Sequence, residues 1–282
     1  MIRPRDRGFA LIAVLIACAA LAGLAYDIIL QNRTAIVEAQ AEVDRAHLEN
    51  ATNSAIALAE AGLSAPDTNA RWPIDATPRE LTEDGIALTI AVEDERGKIP
   101  LNVLSETEAR RMFELAGARD RGLDTVTDGF LDWRDDDDER RPFGAESPDY
   151  AAAGYRARDG DVTAVGELAR IHGMTPQLYA RLAPVVTLWF GESGGFSERT
   201  ASPLAVAVMT GPDDANLNAA PQPLAVARRG AQPLPEGDLN LRGRRLTVRV
   251  VARDARGGVL HRAAVIEFTG NMANPVWIRA IE

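Results

Sequence analysis

The chain has 282 residues, 46% of them hydrophobic and 26% charged, a globular balance rather than a disordered one. Its net charge of −10 and pI of about 5.0 give no basic nucleic-acid footprint, and 5% aromatic content leaves few rings for stacking on bases or sugars. Cys18 is the only cysteine, which excludes an intrachain disulfide without arguing against export. His47, His172 and His261 are scattered, with no zinc-ligand spacing, and read as structural residues.

Arg3, Arg5 and Arg7 precede Phe9 to Tyr26, a run of 18 residues without a charge. As a helix it would span about 27 Å, close to a bilayer core of roughly 30 Å. The arginines predict that this end stays in the cytoplasm and that the rest lies across the membrane. Three fates fit such a segment: a signal peptide cut after "ACA" or "LAG", a permanent anchor, or a leader cut before the apolar run.

Between Leu30 and Gly62 the chain has neither Gly nor Pro and is rich in helix formers. Glu38, Glu42, Arg45, Glu49 and Thr52 mark a polar face, with Ile36, Ala39, Val43, Ala46, Ala55 and Leu58 roughly opposite. The pattern predicts one helix of about fifty residues, half in lipid and half amphipathic, stopping near Gly62.

"IALTIAV" (86–92) alternates with period two and predicts a half-buried strand. The middle, 103–210, reads helical. Ser105 followed by Glu108 is a capping box and Gly117 a stop. Residues 163–187 predict a helix, a break at Gly173 and a second helix starting at Pro176. This pair is similar to helix-hairpin-helix and SAM-like modules, but its charge gives little support for binding DNA. Residues 210–240 read as a Pro/Gly/Asn-rich loop. Strands follow at 245–253, 259–268 and 276–281, with a hairpin turn at Asp254–Gly258.

Between the capped helix and the 163–187 pair lies "DWRDDDDERRPFGAESPDY" (132–150). With Asp135 as position 1 of a calcium loop, Asp137 falls at 3, Glu139 at 5 and Glu146 at 12, but Arg140 stands where an EF-hand needs glycine. The segment is therefore no EF-hand. Asp132, Asp135, Asp137, Glu146 and Asp149 can still converge on an ion in an irregular loop. The alternative is a solvated acidic face, partly paired with Arg134, Arg140 and Arg141. Acid–base catalysis is a poor fit for adjacent acids with no histidine or lysine nearby. No nucleophile elbow, phosphate loop or zinc motif appears, so an enzyme is not expected.

"RDRGFALIAVLI" resembles a type IV prepilin leader and mature start, with Gly8 ending the leader and Phe9 opening the mature chain. The resemblance implies cleavage after Gly8 by a membrane prepilin peptidase and N-methylation of Phe9. The family's usual glutamate at the fifth mature position is Ala13 here, a departure shared by the K-type minor pseudopilin of type II secretion. "GKIPLN" (97–102), "LDWRDDDDERRPFGAESPDY" (131–150) and "VGELARIHGMTPQLYARLAPVVT" (165–187) also resemble that family. "TASPLAVAVM" (200–209) resembles a worn copy of a further family motif, with Arg199 in place of its asparagine.

The resemblance implies an α+β, pilin-like fold, a long N-terminal helix packed on an antiparallel sheet, with an inserted helical domain. The expected divisions are a leader (1–8), a transmembrane half-helix (9–30), a first pilin-like part (31–102), the inserted domain (103–210) and the closing strands (211–282). It implies a tip subunit of the pseudopilus, single-pass in the inner membrane with its bulk in the periplasm. Its partners would be the other minor pseudopilins, the major pseudopilin, prepilin peptidase and secreted substrate proteins, with no nucleic acid. The family's bound calcium favours an ion in the acidic segment. Two other readings are a DNA-uptake or type IV pilus minor pilin with a nucleic-acid-binding hairpin, and a secreted calcium-dependent hydrolase cleaved after Ala19 or Gly23.

Overall fold

The computed structural model describes residues 6–67, 70–191, 195–211, 241–271 and 273–282; within the first helix, the side chains of 6–10, 12, 13, 25, 27–32 and 34 fall outside that description. Helix α1 runs over Asp6–Leu63. A five-stranded antiparallel sheet follows, in the order β1-β2-β5-β6-β7. Its strands are β1 (Arg79–Glu83), β2 (Ile86–Asp94), β5 (Arg245–Arg253), β6 (Val259–Phe268) and β7 (Val276–Ile281). The fold is thus mixed helix and antiparallel sheet.

The sheet covers only the distal part of α1. Leu48, Ala51, Ala55, Ile56, Ala59 and Leu63 recur at helical spacing and pack on Ile86, Leu88, Ile90 and Val92 of β2 and on the inner faces of β5 and β6. The small side chains let helix and sheet approach closely. Ile36, Val43 and Leu58, which the sequence pattern puts on the apolar face, are exposed. Thr52, placed on the polar face, is fully buried, and its hydroxyl is satisfied by donating to the Glu49 carbonyl at 2.8 Å. The helix ends at Leu63, one residue past the stop expected at Gly62. A Cβ on Gly62 would sit 2.4 Å from the Trp72 indole, so this glycine serves a close approach. Among the described residues no helix is long and apolar enough to cross a membrane. The expected span 9–30 lies partly outside the described side chains.

Strand β1 is an element that periodicity does not reveal. "RELTE" is largely exposed, and it is defined by its antiparallel pairing with β2 across Asp84–Gly85, both at positive φ. The chain leaves β2, makes an excursion of about 150 residues and returns as β5 directly beside it, with Val92 opposite Val248 and Ile90 opposite Val250.

That excursion has a core of its own. It contains β3 (Ile99–Pro100) paired in parallel with β4 (Val186–Thr187). Its helices are α2 (Glu106–Ala116), α3 (Asp120–Arg134), α4 (Ser147–Tyr150), α5 (Pro176–Leu182) and α6 (Pro203–Thr210). Met112, Phe113, Val126, Phe130, Leu168 and Leu182 are its fully buried centre, distinct from the cluster under α1. Helix α2 begins with the expected capping box, Ser105 and Glu108 each bonding the other's main chain, and stops at Gly117 with φ 112°. The expected helix before Gly173 is a short 3-10 turn, Val165–Arg170. Glu167 ties its start by accepting from the Thr163 and Ala164 amides.

The two cores meet at a buried polar seam. Lys98 Nζ lies 2.9 Å from Glu93 Oε2 and 2.6 Å from Glu95 Oε1, and Arg244 Nη2 lies 2.6 Å from Asp94 Oδ2. The Thr187 and Thr247 hydroxyls both donate to Glu95. Burial works against ionised Glu93, but Lys98 and Arg249 outweigh it and hold its carboxyl below the usual range.

Candidate metal centre in the acidic segment

The acidic segment starts inside α3. Asp132 sits on the last turn of that helix and is fully buried. Its Oδ2 accepts from the Arg141 amide at 3.2 Å, and its Oδ1 from Arg141 Nη1 at 2.8 Å. A Cβ on residue 144 would lie 1.9 Å from Asp132 Oδ2, so only glycine permits the loop to fold down over this carboxylate. Burial raises the carboxyl of Asp132, against the lowering influence of Arg141.

After α3 the chain turns. Asp135 Oδ2 accepts from Arg141 Nη1 at 2.5 Å, while Asp135 Oδ1 is buried with no hydrogen-bond partner. Asp137 folds its own turn by accepting from the Glu139 amide at 2.8 Å. Glu146 precedes α4, and its amide donates to Asp149 Oδ2 at 2.9 Å. Asp149 also meets the exposed Arg140 at 3.3 Å. Aromatic packing fixes both ends of the segment. Trp133 of α3 meets Tyr150 of α4 edge-on at 5.2 Å, and the Tyr150 hydroxyl accepts from the His172 amide. Burial pushes that hydroxyl up to about 12.

Of the five carboxylates singled out by sequence, three come together. One oxygen from each of Asp135, Asp137 and Glu146 lies within 4.8 Å of the others. Asp132 is engaged by Arg141, and Asp149 by the Glu146 amide and Arg140. Glu146 is 4% exposed, and neither carboxylate oxygen has a hydrogen-bond partner. Burial first, then Asp132, Asp135, Asp159 and Asp138, push its carboxyl up to about 7. Buried acceptors without donors are costly. A hard divalent cation satisfies them, because calcium takes carboxylate oxygens at about 2.4 Å and so holds opposite oxygens roughly 4.8 Å apart. The residues present fit such an ion. Beside Glu146 opens a cavity of about 940 Å³, lined in part by Asp138, Arg140, Asp149, Tyr155 and Arg156.

Other positions named from sequence stand elsewhere. Gly8 and Phe9 lie in α1, with their side chains outside the described residues. In the 163–187 pair, Arg181 donates to the Ala116 carbonyl at 2.8 Å and Arg170 lies over the Tyr155 ring. Sequence reasoning did not single out Gly144, or Arg141 as the partner of both Asp132 and Asp135. The "PFG" turn after the two arginines was the available signal.

Comparison with known proteins agrees with this architecture. Residues 89–191 match the sequence profile of type II secretion system (T2SS) protein K, a stretch running from β2 through the acidic segment to just beyond β4. A chain in the crystal structure of the GspK–GspI–GspJ complex from the enterotoxigenic Escherichia coli type 2 secretion system has a similar fold. Its TM-score is 0.63 at 13% identity, over 87% of this chain and 98% of that one. No curated protein matches the chain. The resemblance carried by the acidic segment and the helical pair is therefore borne out: over residues 89–191 the chain carries the sequence pattern of type II secretion system protein K, a minor pseudopilin.

Proposed function

We propose that this chain is a minor pseudopilin that works at the tip of the type II secretion pseudopilus, starting or capping assembly and so supporting export of folded proteins across the outer membrane. The observation that carries this reading is the division of α1. Its distal part is the spine of a sheet domain, while Ile36, Val37 and Val43 remain exposed beyond the sheet. A helix built this way suits insertion among the helices of neighbouring subunits. Prepilin peptidase cuts after Gly8, and residues 9–30 hold the chain in the inner membrane before assembly, with the bulk in the periplasm. Ala13 supplies no carboxylate to a neighbour's amino terminus, which suits a subunit with nothing above it. The pilin-like part is α1 with the five-stranded sheet. The helical excursion, with its own core, is an inserted domain whose bulk hinders addition above it.

The partners are the other minor pseudopilins, of the I and J types present in the solved complex, with the major pseudopilin below. The ion is calcium, held by Asp135, Asp137 and Glu146, with Asp132 and Asp149 bracing the loop. It orders the segment that joins α3 to α4; the role is structural rather than catalytic.

Copurification tests the assembly. The full-length chain, coexpressed with the I- and J-type subunits, is expected to carry both through purification. Val43→Asp or Ala46→Asp, on the exposed and alanine-rich part of α1, should weaken capture without lowering the melting temperature. Failure of the wild-type chain to retain either subunit contradicts the reading.

A further inference from the structure

Arg141 stands between the buried end of α3 and the acidic loop. One of its nitrogens, Nη1, lies 2.8 Å from Asp132 Oδ1 and 2.5 Å from Asp135 Oδ2. Its main-chain amide also donates to Asp132. Asp132 has no exposed side-chain surface and is packed under Gly144, so it is a fixed anchor. Asp135, by contrast, sits at the first non-helical position, where the loop alone would leave its side chain free to rotate.

The oxygens divide between two tasks. Arg141 takes Oδ2 of Asp135, and Oδ1 stays buried without a partner. Glu146, 4% exposed, has both carboxylate oxygens without a hydrogen-bond partner in the same cluster. A guanidinium and a cation can therefore hold the Asp135 carboxylate at once, each by its own oxygen. We propose that Arg141 is a positioning residue for the ion: anchored by Asp132, it fixes Asp135 with Oδ1 available to calcium and so tightens binding despite its own positive charge. This rests on the calcium reading above. The physical reason is that groups behind a ligand remove the entropy of ordering it and set its direction.

The sign of the effect makes the test sharp. Removing a cation from beside a cation site should, by charge alone, tighten calcium binding. Positioning predicts the reverse. Calcium is titrated calorimetrically into the full-length chain in detergent, after chelation and dialysis. Arg141→Gln is expected to weaken binding about 10- to 100-fold, the usual range for such supporting contacts. Arg141→Lys, whose ammonium has three donors and keeps the charge, should stay within about threefold of wild type. Helical circular dichroism in excess chelator verifies folding. Should Arg141→Gln not fold, Asp132→Asn carries the test: the amide fills the slot under Gly144 but no longer holds the guanidinium by charge, and it too should weaken binding. Unchanged or tighter binding in the folded Arg141→Gln protein, or in Asp132→Asn if it stands in, overturns the proposal while leaving calcium in place. A wild-type chain that binds no calcium overturns the calcium reading and this proposal together.

Discussion

Arg244 at the entry to β5 places Nη2 2.6 Å from Asp94 Oδ2 at the end of β2, and both side chains are almost wholly buried. The pair closes the point where the chain leaves the sheet for the helical region and where it returns. Asp94 also caps the turn beyond β2 by accepting from the Arg96 amide at 3.1 Å.

Asp94→Ala would leave Arg244 without this carboxylate inside the seam. The expected loss is about 3–5 kcal/mol, the range for breaking a buried pair by removing one partner. Thermal melting checks it. A change below about 1 kcal/mol, the size of an exposed pair, would mean that the seam is open to water.

The seam also marks what the sequence conceals. "EDERGK" after a strand reads as a polar exit, because the partners that bury it, Arg244, Thr247 and Thr187, lie about 90 to 150 residues away. Signals made within a few residues were legible: the Ser105–Glu108 box, the Asp254 turn, and the alternation of 86–92. Strand β1 was not, since an exposed edge strand needs no apolar alternation. The packed length of α1 was not either. Alanine serves both a lipid or partner contact and a sheet contact, so the pattern alone could not place the start of packing at Leu48. In the acidic segment the carboxylate spacing was visible, but the division of labour was not. It depends on where Arg141 sends its guanidinium.

Calcium should stabilise the full-length chain. At 100 times its dissociation constant, an ion that binds only the folded state adds about 2.7 kcal/mol. Asp135→Ala combined with Asp137→Ala should abolish that increment in a melting experiment. An unchanged wild-type melting temperature in millimolar calcium would return the segment to a solvated acidic face.

Without calcium, Glu146 should make stability fall as pH rises. Its carboxyl moves from an ordinary 4.5 to about 7 on folding. The folded state therefore holds the proton more tightly. The benefit is complete below the unfolded value and is lost as pH climbs through the folded one. The loss between pH ~5 and ~8 is of the order of 3 kcal/mol, at about 1.4 kcal/mol per unit. Glu146→Gln should flatten this part of the profile in chelator, and calcium should do the same for the wild type. Identical profiles for wild type and Glu146→Gln would contradict it.

Processing should leave a mature chain that begins at Phe9. Intact-mass and amino-terminal peptide spectrometry are expected to find N-methylated Phe9, with Gly8 replaced by alanine blocking the cut. A mature chain that begins beyond Ala20 would instead indicate a signal peptide.

The tip role is tested most directly by locating the protein on the filament. Pseudopili are overproduced with an epitope-tagged copy of this chain and labelled with gold for electron microscopy. The account predicts label at one end of each filament, in amounts far below the major subunit. Label along the whole length, in stoichiometric amount with the major subunit, would contradict it.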